Sequence, residues 1–503
     1  MVKRHAVYLA LATLTLAALT ASAQNPDRPP PDPRFGAVEA FWMPDSAYEA
    51  NLGWERMLFD WSQLQPDGPD SWNGFYIRME WLQNALDARR EVVGLIKSAP
   101  AWATDGTLGI GVPRGLYLPP DDPGNLWAAF VRRVVAEYRP HGVRRWIIWN
   151  EPDIAPDAYG VEFEGSVEDY YRLVKVAWCA VHDVDPEAKV HLAGLTYWHD
   201  VNYNRPFYLG RFLDVALADP EGAAHGYFFD VVSLHIYFKT EAIIPIVQET
   251  RQAMARRQID KPIWINETNA SPNLDPAWPV TRPEFQITLE EQAAFIVQAH
   301  ALALAAGVER VGVYKFADGY LPEEAESFGL IRADGSRRPA YDALKTVTTV
   351  FRGATDAHLV VGRRAYVVTL ALPEGRTASV MWARAGAPVR AEVAAAGAGA
   401  TLVNMLGAAT SITPEGGIYA LDLQAAECPP PEGCLVGGPP LILIQEGAPA
   451  QVRLIPGDGS PADTLDTHFA TSTPRPATPA SPTATATPTI TRTPRPTLTP
   501  VAP

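Results

Sequence analysis

Residues 146–153 read Trp-Ile-Ile-Trp-Asn-Glu-Pro-Asp, a short apolar run that ends abruptly in an Asn-Glu pair and is stopped by proline. A brief, continuous apolar run bounded in this way predicts a strand buried on both faces. Lys261-Pro-Ile-Trp-Ile-Asn-Glu-Thr268 repeats the form and closes on Glu267. Six further runs of the same type lie at 37–42, 56–60, 92–97, 190–195, 231–236 and 311–316, so the runs at 145–149 and 263–265 are the fourth and seventh of eight. Helical patterns, at 126–138 and 290–305 for example, stand between some of them as amphipathic segments. Eight βα units predict an α/β chain whose strands close into a (β/α)8 TIM barrel over residues 36–352. A doubly wound sheet would carry a Gly-rich phosphate loop after its first strand; Gly109-Ile-Gly111 lacks that spacing and reads as a turn.

Either side of the barrel the composition changes. Lys3 and Arg4, an apolar run over 6–19 and the small residues Ala21-Ser22-Ala23 form the pattern of a signal peptide, residues 1–23, followed by a Pro-rich linker over 24–35. The apolar run is shorter than the roughly 20 residues of a membrane anchor, so a secreted, extracellular protein without membrane insertion is expected. Residues 353–455 alternate in short stretches between Gly, Pro and Ala-rich turns, which predicts a small β-sandwich. Residues 456–503 are rich in Thr and Pro, repeat Thr-Pro-Arg-Pro, and read as a disordered tail, either a plain flexible end or a stalk at the cell surface. Of the 3 Cys, Cys428 and Cys434 bracket a five-residue loop suited to a disulfide, and Cys179 lies in an apolar helical stretch as an inert thiol. The formal net charge of −15 opposes nucleic acid and anionic membrane surfaces.

In the placing of Asn150-Glu151-Pro152 on strand four and Ile265-Asn-Glu267 on strand seven, the sequence resembles glycoside hydrolase clan A. These are retaining enzymes on a (β/α)8 barrel, and the barrel with a following sandwich looks most like family 39, the β-xylosidase and α-L-iduronidase group. The resemblance covers residues 36–350 and implies that Glu151 is the acid/base and Glu267 the nucleophile. It further implies that Asn150 bonds the sugar 2-hydroxyl, that His235 and Tyr237 position the nucleophile, and that Arg56 keeps Glu267 ionised. Retaining hydrolysis needs two carboxyl groups about 5 to 5.5 Å apart, the charge of one favouring the protonated form of the other until the glycosyl ester removes it. Each glutamate alone also fits a surface carboxylate at a strand-to-helix turn; two at strands four and seven do not. For His235 a hydrogen-bonded barrel residue, and for Arg56 a surface ion pair, are the plain alternatives.

Trp42, Trp102, Trp198, Trp278 and Tyr314 fall at strand ends or in the following loops, where aromatic faces stack on sugar rings, although most of the 14 Trp are expected in the core. Clan barrels often end strand eight in Trp; here Gly312-Val-Tyr-Lys-Phe316 puts Tyr314 or Lys315 there, and a lysine suits an acidic sugar such as a uronate. The ten His show no His-Glu-x-x-His and the Cys no zinc spacing, so neither metal nor other cofactor is expected. Asn266-Glu-Thr268 is an accidental glycosylation sequon, and no Gly-x-Ser-x-Gly elbow is present. The sequence thus predicts an exported retaining O-glycosidase acting on poly- or oligosaccharides. The alternatives are a non-catalytic carbohydrate-binding surface protein on a degenerate barrel, or a transglycosylase using the same residues.

Overall fold

The computed structural model describes residues 28–465, except 159, 320, 323, 430–432, 450 and 458. The expected signal peptide and most of the Thr/Pro tail lie outside the described residues. Eight parallel strands close into a barrel: β1 (Phe35–Val38), β2 (Trp54–Asp60), β3 (Glu91–Lys97), β4 (Arg145–Ile148), β5 (Lys189–Leu195), β6 (Val231–Tyr237), β7 (Ile263–Asn269) and β8 (Arg310–Val313). Closure is made by β1 on β8, with Gly36 opposite Gly312. These runs are rich in Val, Ile and Leu because each is sealed on one face by barrel-lining side chains and on the other by helices. Three strand ends differ from the sequence reading by three residues or more, among them that of β8, which stops at Val313 and not at Phe316. Strand β1 stops at Val38 because Glu39 takes a left-handed backbone (φ 58°) that turns Ala40–Trp42 into a short 3₁₀ helix. Strand β7 continues past Ile265 to Asn269, so Glu267 lies inside the strand and not beyond it.

The closed end of the barrel is filled by Trp54 and Trp264, whose rings are 5.2 Å apart, with Val93, Ile147 and Val231 around them. The Trp54 indole fits only because its neighbours are glycines: a Cβ on Gly36 would stand 2.4 Å from it, and one on Gly312 2.6 Å. From Trp54 the two-residue strand period carries Arg56 and Leu58 along the same inward face. On β7 the same period from Trp264 would put Asn266 inward. Register shifts on both flanks, between Leu234 and His235 and between Ile265 and Thr268, instead bring Glu267 opposite His235.

The C-terminal strands form two antiparallel sheets. One has the order β14 (Ala409–Ile412), β13 (Ala400–Asn404), β16 (Leu441–Glu446), β11 (Arg376–Ala383), β10 (Ala365–Ala371), β9 (Asp356–Val361); the other is β15 (Ile418–Leu423), β12 (Val389–Ala394), β17 (Val452–Pro456), β18 (Asp463–Leu465). The last of these lies beyond residue 456, where the sequence reads as tail. Strand β15 alternates exposed and buried, as a sheet with one wet face should, whereas β11 is buried almost throughout. The reason is a third layer. Val367, Met381 and Ala383 face the second sheet, while Val368, Leu370, Val380 and Trp382 join the core of the barrel. The helix Leu289–Ala305, which the sequence reads as amphipathic, is buried on nearly every side, including Gln298 and His300, because the sandwich covers its outer face.

Since this helix is covered only when the sandwich is in place, the two parts should unfold together. Calorimetry of residues 28–465 is expected to give one cooperative transition, and a chain ended at residue 351 is expected to aggregate on expression. Two separated transitions, or a soluble isolated barrel, would contradict the shared core.

Candidate active site

The open end of the barrel holds a cavity of about 340 Å³ walled by Val38, Glu39, Arg56, Leu58, Leu95, Lys97, Asn150, Glu151, Glu162, Tyr237, Glu267 and Tyr314. Glu267 is buried, and three groups converge on it. The Arg56 guanidinium pairs with Oε1, the Tyr237 hydroxyl donates to Oε2, and Nδ1 of His235 lies 3.4 Å from Oε2. Burial alone would push this carboxyl up, but the charge of Arg56, then that of His235, and the hydrogen bonds from Tyr237 and Arg56 outweigh it and hold Glu267 below the usual carboxylate range. Arg56 is itself buried, which excludes a surface ion pair. The same neighbours leave Glu267 well supplied with donors and keep it in its anionic form.

Glu151 is placed differently. It follows β4 through a backbone in which both Trp149 (φ 69°) and Glu151 (φ 39°) are left-handed, a conformation that costs a non-glycine residue roughly 1 to 3 kcal/mol and persists only where the surroundings enforce it. The enforcing contacts are visible. Trp149 is buried, its amide donates to the Ile96 carbonyl (2.8 Å) and its indole N–H to that of Glu162 (2.7 Å). Two residues past Glu151, the buried Asp153 accepts from the Thr196 amide and hydroxyl (2.8 Å each) and from the Tyr197 amide (3.2 Å), fastening the turn to the end of β5. Burial lifts the Asp153 carboxyl to about 6. Glu151 thereby keeps its carboxyl half-exposed at the cavity wall, 2.5 Å from Nδ1 of His235.

His235 bridges the two glutamates: a carboxylate oxygen of each and a ring nitrogen of the histidine lie within 4.8 Å of one another. Burial opposes its protonation, but the charges of Glu267 and Glu151 and the hydrogen bond to Glu151 raise it above the usual histidine range. Its other nitrogen, Nε2, is buried without a partner and rests against Gly194 of β5, where a Cβ would stand 1.9 Å away. A glycine inside a strand signals such a close approach, and this one went unread in the sequence. Glu151, His235 and Glu267 have the donor types of a metal site, yet the Arg56 cation already occupies Glu267 and would repel a second cation.

Of the residues read from sequence, the structure brings Glu151, Glu267, Asn150, His235, Tyr237, Arg56 and Tyr314 together. Trp198, 39% exposed, lines an adjoining cavity. Trp42 and Trp102 line neither cavity. The 3₁₀ turn after β1 leaves Trp42 52% exposed beside Phe41 and Trp81, and Trp102 packs edge-on against Trp61 and donates to the Gln65 carbonyl. Trp278 donates to the Ala325 carbonyl and is likewise away from both. Lys315 does not reach the cavity wall and pairs with Glu39 at 3.2 Å. The sequence reading missed Lys97 and Glu162, which pair on the wall, as well as Asp153 and Gly194. Cys428 and Cys434 are joined, and Cys179 is half-buried with its thiol pushed up by burial.

No family model matches the chain. A β-xylosidase of Caldicellulosiruptor saccharolyticus is 29% identical over 96 residues, so the match spans 18% of this chain and only 19% of that relative. The structure matches a family 39 glycoside hydrolase from Bacteroides cellulosilyticus with a TM-score of 0.61 over 82% of this chain and 81% of that one, at 14% identity. It also matches a monomeric β-xylosidase of Caulobacter crescentus (TM-score 0.51, 14% identity, 84% and 97% covered) and a family 30 endoxylanase of Clostridium papyrosolvens (0.52, 13%, 83% and 97%). The fold, a closed (β/α)8 barrel with a following pair of sheets, is shared with these glycoside hydrolases. Among the described residues no helix is long and apolar enough to cross a membrane.

Two substitutions probe this geometry. Replacing Arg56 by Gln removes the opposite charge that holds Glu267 down, so the acid limb of the kcat/KM profile should move up by about 1 to 3 pH units. Gly194→Ala should push the His235 ring off its seat and lower kcat by about 10²-fold, with the circular dichroism spectrum unchanged. An unmoved acid limb in the first or wild-type turnover in the second would contradict these roles.

Proposed function

We propose that the protein is an exported retaining glycoside hydrolase that cleaves O-glycosidic bonds by double displacement, with Glu267 as nucleophile and Glu151 as acid/base. The observation that carries this is the convergence of the two carboxylates within 4.8 Å, one ionised by Arg56 and the other set at a half-exposed wall. That spacing fits the retaining geometry and leaves no room for the water an inverting enzyme places between its carboxyls. In the first step Glu267 attacks the anomeric carbon while Glu151 protonates the departing oxygen. Glu267 thereby becomes a neutral glycosyl ester and the negative charge passes to Glu151. Glu151 then takes a proton from a water that attacks the anomeric carbon, breaking the ester bond and returning Glu267 to the carboxylate that Arg56 and Tyr237 stabilise. Asn150 lines the same cavity and is assigned to the 2-hydroxyl, a contact that strengthens as the ring flattens toward the oxocarbenium-like transition state. His235, between the two carboxyls, fixes their spacing.

A neutral sugar is the preferred glycone. Arg56, Lys97 and Lys315, the cations at or beside the cavity, are paired with Glu267, Glu162 and Glu39, so none is free for a uronate carboxylate. The β-xylosidases among the similar proteins make β-xylosides the first substrates to try. A buried guanidinium serving one carboxylate also supports catalysis over mere glycan binding, for which an ionised, strongly held Glu267 has no use. Secretion and attachment to the cell surface through the Thr/Pro tail complete the reading.

Hydrolysis of aryl β-xylosides and β-glucosides by the wild type, Glu267→Ala and Glu151→Ala is the test. Glu151→Ala should lower kcat/KM on poorly activated leaving groups by about 10² to 10⁴-fold. Azide should rescue both variants, giving the inverted glycosyl azide from Glu267→Ala and the retained one from Glu151→Ala. A wild type that binds but cleaves nothing would overturn the proposal.

A further inference from the structure

A second cavity of about 500 Å³ adjoins the first and is lined by Ile154, Trp198, Phe238, Phe285 and Leu435, with Glu151, His235 and Tyr237 on its inner side. Glu151 and Tyr237 belong to both cavities, whereas Asn150 and Glu267 belong to the first alone. A proton donor standing between two chambers, with the nucleophile in only one, divides them into a sugar side and a leaving-group side. The chambers differ in chemistry. The sugar side is crowded with Glu39, Arg56, Lys97, Asn150 and Glu162. In the second, Asn202, Lys239 and Glu284 are exposed at the rim and Thr196 and His199 are half-buried, the Thr196 hydroxyl already donating to Asp153, while Ile154 and Leu435 are buried and Phe238 and Phe285 half-buried, their rings 4.5 Å apart. A pyranose placed there would meet fewer polar groups than on the sugar side, each unmet hydroxyl costing binding.

Leu435 comes from the sandwich, on the segment that leaves the Cys428–Cys434 disulfide, one residue after Cys434. That segment is held on the barrel by the buried Gln298. Its amide nitrogen donates to the Gly437 and Gly438 carbonyls (2.9 Å each), and its oxygen accepts from the Gly437 amide (3.0 Å) and the Thr240 hydroxyl (3.1 Å). Thr240 follows Phe238 and Lys239 of the cavity wall by two residues and one. Arg384, the residue after β11, adds an ion pair to Glu241 at 2.7 Å. One buried glutamine thus registers a sandwich loop against the loop after β6, and both face the same chamber.

Resting on the hydrolase reading above, we infer that this chamber is a leaving-group site for an apolar, ring-bearing aglycone, such as the phenol of an aryl glycoside, and that the sandwich selects it through Leu435. The protein would then prefer glycosides of aromatic or alicyclic alcohols to disaccharides of the same sugar.

The test uses the β-xylosyl and β-glucosyl fluorides, the matching phenyl glycosides, and xylobiose and cellobiose, with full-length wild type, Leu435→Asn and Trp198→Ala. Fluoride leaves without filling the second chamber, so its turnover reports the two glutamates and the sugar side alone. In wild type kcat/KM for the phenyl glycoside should exceed that for the disaccharide by at least about tenfold beyond what their leaving-group acidities explain, and each variant should lower the phenyl-to-fluoride ratio by about tenfold. Because Leu435 is buried, a loss of fluoride turnover in its variant would signal misfolding. The half-exposed Trp198 then decides through the same ratio. Fluoride turned over with an unchanged ratio in Trp198→Ala, or a wild type that favours the disaccharide, overturns this inference and leaves the hydrolase standing; no fluoride turned over by wild type removes both.

Discussion

An ionised carboxylate inside a barrel is held there against its own solvation. Stripping water from a charge costs several kcal/mol even after relaxation, so a buried glutamate either takes up a proton or is met by a cation and donors. Glu267 is met on both oxygens, by Arg56 and by Tyr237, with His235 behind. Much of the barrel is arranged to make that meeting possible. Arg56 reaches inward because it sits two residues above Trp54 on β2, and Trp54 sits deep because Gly36 and Gly312 leave it space. Glu267 faces inward because β7 slips register against both neighbours, and His235 keeps its place because Gly194 has no side chain.

The two glutamates differ most in their surroundings. Glu267 is enclosed and compensated; Glu151 is half-exposed, reached through two left-handed residues and tied back by Asp153 to the strand beside it. Position alone holds Glu267 below the usual carboxylate range and sets Glu151 where both cavities reach it, a contrast that suits the proposed attack by one and proton transfer by the other.

The eight strands were legible because a parallel strand covered on both faces must be apolar along its length, and such runs stand out against helical patterns. Both glutamates were legible because each breaks an apolar run. The inward turn of Glu267 was not: strand alternation from Trp264 points Asn266 at the axis, and a bulge is a property of two neighbouring strands that no single run records. For a related reason the run itself left Arg56 open between a surface ion pair and the partner of Glu267 that the resemblance implies, since a charge near a strand's start gives no hint that its partner comes from the far side of the ring. Trp42 and Trp102 line neither cavity because short turns, which the apolar pattern does not show, carry them aside. The outer face of Leu289–Ala305 was misread because what covers it lies more than fifty residues further along.

That last covering has a consequence for how the chain is made. Synthesis delivers β8 at Val313, which completes the ring, long before β10 and β11 exist. For that interval the helix Leu289–Ala305 stands with both faces apolar and one of them bare, on a barrel that is topologically finished yet not sealed. A nascent chain in that state is sticky by the same physics that later binds its layers together. Maturation of the barrel's open end is therefore governed by the arrival of a segment that carries neither glutamate, and the sandwich acts during biogenesis as a built-in cover for its own barrel.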